Sequence, residues 1–189
     1  MRHFLGFRLV PGSVPWLDEA TARLAALDAD HLLRIVPPEK LHLTVLFLGE
    51  GDDAHGVRLA EALGGDAWEG GPLRLEVTGL GAFPGVVVFA AVAGPDIERL
   101  AGLHARIQET VAAAGFTFDR RPLAPHVTLA RFRHRHGHGV RRLVEALPAF
   151  RPDASLPWQP DTLELIASKD GQYLTQASFP FHTTSMQSP

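Results

Sequence analysis

The chain has 189 residues, no cysteine and a formal net charge of −3, with 46% hydrophobic and 21% charged residues. This balance is typical of one globular domain, and the lack of cysteine excludes disulfides, thiolate metal ligands and a cysteine nucleophile. No apolar run approaches the roughly 18 residues of a transmembrane helix, and the first residues do not resemble a secretion signal. We therefore expect a cytoplasmic monomer without a membrane partner, and the acidic net charge argues against a protein that wraps nucleic acid.

Hydrophobic periodicity and turn residues predict alternating strands and helices. In the first half, in chain order, these are a strand over 2–10, a helix over 15–27, strands over 32–36 and 41–48, a helix over 53–63, loops at 64–65 and 70–71, and strands over 73–80 and 86–93. In the second half they are a helix over 96–114, a strand over 125–132, a loop over 134–139, a helix over 140–147, and strands over 162–168 and 173–181.

The last two strands should form a hairpin, because Asp170-Gly171 is typical of a tight turn. No linker interrupts the pattern, so residues 1–182 are predicted to be one domain, followed by a polar tail at 183–189. The element order predicts two similar lobes, each a small sheet with a motif strand and packed helices, around a cleft. No glycine-rich phosphate loop follows any strand.

Two segments repeat one pattern: a His, an apolar residue, a Thr and another apolar residue. They are 41–46 (LHLTVL) and 125–130 (PHVTLA). Because residues i and i+2 of a strand share a face, each segment presents its His and Thr together and turns the apolar residues to a core. A third His-x-Thr, at 182–184, has no apolar residue after its Thr, and we interpret it as coincidence.

Two such strands facing each other would bring two imidazoles and two hydroxyls into one cleft. The four side chains are those of His42, Thr44, His126 and Thr128. This set suits acid–base chemistry on a phosphate. The alternative is that both histidines lie on solvated strand faces.

The second motif lies in a basic segment, 120–142, which has seven arginines, four histidines and no Asp or Glu. This segment favours an anion site for a phosphate-bearing ligand over a merely solvated loop. Its His-rich loop, 134–138, could bind a metal, but no Asp, Glu or Cys accompanies it. We expect a surface loop there, in contact with an RNA backbone.

Together with their flanks, 36–50 and 121–131, the motifs make the chain resemble the 2H phosphoesterases. Within them it resembles the RNA 2′,3′-cyclic phosphodiesterases that are also called 2′-5′ RNA ligases. The resemblance extends from the first strand to Phe181. Two departures, Leu123-Ala124 and the loop at 134–138, lie outside the motif cores.

The resemblance implies a bilobal α+β fold with a pseudo-two-fold axis, in which each lobe contributes one motif strand to a groove. It implies no cofactor and no metal. The expected substrates are RNA or nucleotides that end in a 2′,3′-cyclic phosphate, which is opened to a 2′-phosphate, with reversible 2′-5′ ligation as a side activity. By analogy, His126 is the base, His42 is the acid, and Thr44 and Thr128 bind the phosphate.

Three further residues are site candidates. Arg131 matches a family position near the phosphate, although strict alternation turns it away from His126 unless the strand bends. Phe47 and Tyr173 are candidates for base stacking. Alternation favours a core position for Phe47 and leaves Tyr173 open.

Two other functions remain open from the sequence. The first is a phosphodiesterase of a small nucleotide, such as ADP-ribose cyclic phosphate or a 2′-5′ oligoadenylate. The second is a non-catalytic RNA-binding module, against which the presence of both His and both Thr argues.

Overall fold

The computed structural model describes residues 1–28, 30–64 and 70–182, which form an α+β fold. Nine strands lie within these residues: β1 (Arg2–Arg8), β2 (Leu33–Ile35), β3 (His42–Glu50), β4 (Leu75–Phe83), β5 (Val87–Ala93), β6 (His126–Phe132), β7 (Leu156–Trp158), β8 (Thr162–Lys169) and β9 (Gln172–Pro180). The described helices are α1 (Pro15–Leu27), α2 (Asp53–Gly64), α3 (Ile97–Ala113) and α4 (His138–Ala146), with short 3₁₀ turns at Pro38–Lys40 and Leu147–Ala149.

The strands form one sheet in the order β7-β4-β5-β6-β3-β1-β8-β9, and the recorded pairs are antiparallel. β3 and β6 meet through Leu43 and Val127, which joins the four-stranded halves on either side. The predicted lobes are therefore halves of a continuous sheet. β2 lies on the same side of β6 as β3 does, and it pairs with the C-terminal end of β6.

One face of this sheet carries the hydrophobic core. Its centre includes the fully buried Phe7, Leu43 and Val127, to which α2 adds Leu59 and α3 adds Ile107. The helices cover this face because each presents an apolar stripe that must leave water. The opposite face at the β3–β6 junction stays partly open, since His42, Thr44, His126 and Thr128 are all half-buried.

Most predicted elements are confirmed, with shifts of a few residues at their ends. The turn at Asp170-Gly171 is confirmed by positive φ angles of 50° and 76°. α4 begins at His138 rather than at 140, and the short β7 and both 3₁₀ turns were not predicted. The tail at 183–189 and part of the loop at 64–65 lie outside the described residues.

Among the described helices, none is long and apolar enough to cross a membrane.

Candidate active site

The two motif strands are neighbours at the centre of the sheet. Their antiparallel register, Leu43 against Val127, places His42 across from Thr128 and Thr44 across from His126. Side chains directly opposite on one face of such a pair lie about 5 Å apart at Cβ. The four predicted side chains are thus brought together on the open face, each His beside the Thr of the other motif.

Each motif strand has a β-bulge just after its Thr. On β3, Thr44 pairs with Gly6 but Leu46 pairs with Leu5, which leaves Val45 as the extra residue. On β6, the corresponding extra residue is Leu129. A bulge inserts one extra residue and so shifts the alternation of the side chains that follow it. The third residue after each Thr, and not the second, therefore lies on the same face as the His and the Thr.

The bulges turn Phe47 and Arg131 onto the open face. Phe47 pairs with Phe4 of β1 and is 45% exposed. The prediction that Phe47 lies in the core, which strict alternation favoured, is therefore wrong. Arg131 is exposed and pairs with Val87, which shares its face with Phe89, the partner of Thr128. The strand thus bends in the way that Arg131 needs to lie on the same side as His126.

Both imidazoles are held by the same backbone contact. Nδ1 of His42 lies 2.7 Å from the carbonyl oxygen of Lys40, and Nδ1 of His126 lies 2.6 Å from that of Ala124. Since a carbonyl can only accept, each Nδ1 carries the hydrogen and donates it. In the neutral ring Nε2 then has a free lone pair, and it is the atom available for proton exchange.

Aromatic rings flank each histidine. The ring centroid of His42 lies 4.8 Å from that of Phe4 and 5.3 Å from that of Tyr173, the second contact being edge-on. The ring centroid of His126 lies 5.2 Å from that of Phe89 and 5.5 Å from that of Phe83. Phe4, Phe83 and Phe89 were not predicted from the sequence, because only strand pairing brings them to the motifs.

The pKa of His42 is lowered to about 4. Burial of the ring is the largest cause, since it disfavours the charged form. The hydrogen bond to Lys40 opposes this effect, whereas the positive charges of Arg131 and Arg8 add to it. His42 is therefore neutral near pH 7 in the free protein. A neutral imidazole can accept a proton, so this environment suits His42 as a base, whereas the resemblance implies His126 in that role.

Arg8 is a second cation on this face that the sequence analysis missed. It pairs across from His42, and its Nε lies 3.0 Å from the Glu164 carboxylate. Its Nη2 donates to Thr175 Oγ1 at 3.2 Å and to the carbonyl oxygen of Tyr173 at 3.4 Å. The Thr175 hydroxyl in turn donates to Glu164 at 2.7 Å. This network ties β1 and β8 to β9, the strand that carries Tyr173 beside His42.

The His-rich loop has a different setting. Residues 133–138 are all exposed. Within the described part of the chain, no three or more His, Cys, Asp or Glu side chains are grouped so that they could hold a metal ion.

Comparisons with known proteins agree with this geometry. The model of the 2′-5′ RNA ligase superfamily matches residues 13–172. The chain is 28% identical over 181 residues to an RNA 2′,3′-cyclic phosphodiesterase of Geobacillus stearothermophilus, which covers 89% of this chain and 55% of that relative. It is 31% identical over 123 residues to a protein of the same name from Aeropyrum pernix, with 63% and 65% covered. The chain thus spans between about half and two thirds of the length of these relatives.

A solved structure shares the fold. Escherichia coli LigT in complex with NADP+ matches with a TM-score of 0.70 and 21% identity, covering 95% of this chain and 97% of that one. Crystal structures of LigT also contain ATP and 3′-AMP. The paired strands and the likeness to LigT define the bilobal 2H phosphoesterase fold. The chain belongs to the 2′-5′ RNA ligase superfamily, which confirms the resemblance seen in its two motifs.

Proposed function

We propose that this protein hydrolyses 2′,3′-cyclic phosphates at the 3′ ends of RNA or on nucleotides, and that it needs no metal. The register of β3 against β6 carries the proposal, because it brings two histidines and two threonines onto one open face. The relatives named RNA 2′,3′-cyclic phosphodiesterase support the same reaction class. A non-catalytic module would have no need for two histidines anchored alike through Nδ1.

The reaction needs one base and one acid. Nε2 of His42 removes a proton from water as the water oxygen bonds to phosphorus. The bond from phosphorus to the 3′-oxygen breaks, and Nε2 of protonated His126 delivers a proton to that oxygen. The product is a 2′-phosphate, and proton exchange with solvent restores both rings.

Charge on the phosphoryl oxygens must be stabilised as the ring opens. The hydroxyls of Thr44 and Thr128 donate hydrogen bonds to these oxygens, and the guanidinium of Arg131 supplies a positive charge. Donors that are already oriented are most effective for charge that develops in the transition state. Arg131 can serve in this way because the bulge at Leu129 turns it to the histidine face.

Aromatic residues of the half of the sheet formed by β3, β1, β8 and β9 bind the nucleobase of the substrate. The exposed Phe47 ring borders a cavity of about 400 Å³ that Thr117, Phe118 and Asp119 also line. Tyr173 stands edge-on to His42. A base stacked on either ring would leave its ribose near the histidines, and such stacking tolerates every base.

The same groups can catalyse the opening of the cyclic phosphate by an alcohol instead of water. If the 5′-hydroxyl of a second RNA replaces water, the base and the acid join it to the cyclic phosphate through a 2′-5′ linkage. The overall equilibrium then sets the direction, so ligation is a weak side activity at low RNA concentration.

The test is turnover of adenosine 2′,3′-cyclic phosphate in the presence of EDTA, with the product identified by ³¹P NMR. We expect 2′-AMP to form at a rate that EDTA does not change. The double variant His42→Ala/His126→Ala gives the background rate. Formation of 3′-AMP, or a loss of turnover in EDTA that a divalent ion restores, would contradict the proposal.

A further inference from the structure

Two arginines lie side by side next to the motif residues. Arg34 of β2 pairs directly with Arg131 of β6, and both side chains are exposed. Their neighbours in the ladder, Leu33 and Ile35, turn the other way and pack on the core. Arg34 therefore lies on the same open face as Arg131.

This pair continues the line of site residues. Three contacts follow one another along the same edge of β6. Val127 pairs with Leu43 of β3, the carbonyl oxygen of Leu129 then accepts a hydrogen bond from the Val36 N–H, and the last residues of β6 pair with β2. The intervening residues, 37–41, leave the ladder through the Pro38–Lys40 turn and return at His42. On the open face, the cross-strand pair of Arg34 and Arg131 therefore lies next to the pair of His42 and Thr128, farther toward the C-terminal end of β6. The two rows are roughly 7–10 Å apart, given about 3.3 Å per residue and one bulge.

Like charges directly opposite each other on a sheet are destabilising. Among the described residues, neither Arg34 nor Arg131 has a hydrogen bond or an ion pair that would offset the repulsion. Two guanidinium groups side by side are a good match for the oxygens of a phosphate. An anion bound between them would remove the repulsion and satisfy both donor sets.

We propose that Arg34, with Arg131, binds a second substrate phosphate, the 5′-phosphate of the nucleotide whose cyclic phosphate is opened. This inference rests on the proposed function. In an RNA chain that group is the phosphodiester to the preceding nucleotide, the next anionic group beyond the terminal ribose. The site therefore selects RNA ends over free nucleosides that carry only the cyclic phosphate.

The test compares three substrates: adenosine 2′,3′-cyclic phosphate, the same compound with a 5′-phosphate, and the dinucleotide ApA with a 2′,3′-cyclic phosphate. For the wild type, we expect kcat/KM to be about tenfold or more higher for the two substrates with a 5′-phosphoryl group, as is typical of a charged hydrogen bond. Arg34→Gln should remove this advantage through KM and leave the first substrate within about twofold. Arg34→Lys should restore part of it.

Arg141→Gln is the matched control. It removes one arginine charge, as Arg34→Gln does, but from α4 in the basic segment 120–142, and Leu143 of that helix packs in the core on the covered face of the sheet. This variant should keep the advantage. When binding of the dinucleotide is measured at several salt concentrations, the logarithm of the association constant should fall less steeply with log salt for Arg34→Gln than for the wild type. The slope should be smaller in magnitude by about 0.7 per lost contact.

The outcomes separate the two proposals. If no substrate is turned over, the proposed function fails. If the first substrate is turned over but Arg34→Gln slows all three equally, Arg34 serves the scissile phosphate and the second site is wrong. If only the free 5′-phosphate gives the advantage and the dinucleotide does not, the selection of RNA is wrong.

Discussion

His42 and His126 make the same backbone contact but have different surroundings. Each donates from Nδ1 to the carbonyl oxygen two residues before it. Two aromatic rings flank each histidine, and the positive charges of Arg131 and Arg8 lower the pKa of His42. Burial and these charges lower the pKa of His42 to about 4, so its imidazole is neutral near pH 7. In the proposed mechanism, this environment suits His42 for the role of the base.

This asymmetry predicts the pH dependence of kcat/KM, which reports the free enzyme. As a base, His42 must be neutral, so its contribution is complete well above pH 4 and is lost as the pH falls through about 4. Arg131→Gln removes a charge that lowers this pKa, so the acid limb should move to higher pH. The measurement is kcat/KM for adenosine 2′,3′-cyclic phosphate between pH 3 and 9. Activity that increases as the pH falls toward 4 would show that His42 acts in its protonated form.

The identities of the central residues were predictable, but their surroundings were not. His42, Thr44, His126 and Thr128 follow from a repeated local pattern, because a strand sets which side chains share a face. Arg8, Phe4, Phe89 and Arg34 come to the site only through strand pairing. No local pattern of residues marks them, since their partners lie far away along the chain.

At the scale of elements, the two β-bulges matter most. They follow Thr44 and Thr128 at corresponding positions and turn Phe47 and Arg131 to the open face. A signal for them exists in the sequence, because an adjacent apolar pair follows each Thr, Val45-Leu46 and Leu129-Ala130. Both members of each pair are buried. Such a pair also occurs in any fully buried strand, so the signal becomes informative only because both motifs share it.

The bulge on β3 depends on the close approach of β1. A Cβ on Gly6 would lie 2.6 Å from the carbonyl oxygen of Leu43, between the two motif residues of that strand. Gly6→Ala should therefore push β1 away from β3, lower the free energy of unfolding by about 1–3 kcal/mol and reduce kcat. Thermal unfolding and turnover, measured together, check both effects.

Gly102→Ala is the control for Gly6→Ala. Gly102 lies within α3, and a Cβ there would meet nothing within 4 Å. Alanine favours a helix more than glycine does, so this change should stabilise the protein by about 0.5–1 kcal/mol without altering turnover. Equal Tm values for Gly6→Ala and the wild type would show that β1 has room to spare and is not needed to hold the bulge.

At the scale of the whole molecule, the fold is a pseudo-symmetric pair of strand sets joined at Leu43 and Val127. The element order predicted the two lobes, and the resemblance of the motifs to the 2H phosphoesterases implied the α+β fold class. It did not predict that the lobes share one sheet. One pair of residues that joins two distant strands produces no periodic pattern in the sequence. In addition, residues 37–41 separate β2 from β3 in the chain, although both strands pair with the same edge of β6.

The charge of the molecule also differs from that of its groove. The chain as a whole has a net charge of −3, yet Arg8, Arg34 and Arg131 lie on the open face with the two histidines. Glu164 offsets the charge of Arg8, so the positive charge that can concentrate an anionic ligand on this face comes from Arg34 and Arg131. This arrangement supports the proposal that the protein binds the end of an RNA and not its length.

The central claim is that His42 is the base and His126 the acid for opening a cyclic phosphate. Its most direct test is an analogue of adenosine 2′,3′-cyclic phosphate in which sulfur replaces the bridging 3′-oxygen. A thiolate leaves without a proton, so the analogue needs a base but no acid. The measurement is kcat of the wild type, His42→Ala and His126→Ala on the oxygen and sulfur substrates, with His134→Ala in the exposed loop as control.

Both active-site variants should lose about 10²-fold or more in kcat on the oxygen substrate, and His134→Ala should be unchanged. On the sulfur substrate, His126→Ala should recover to near the wild-type rate, whereas His42→Ala should stay slow. Rescue of His42→Ala instead would contradict the assignment of base and acid. Near-wild-type turnover of either variant on the oxygen substrate, with the fold intact, would contradict the two-histidine mechanism itself.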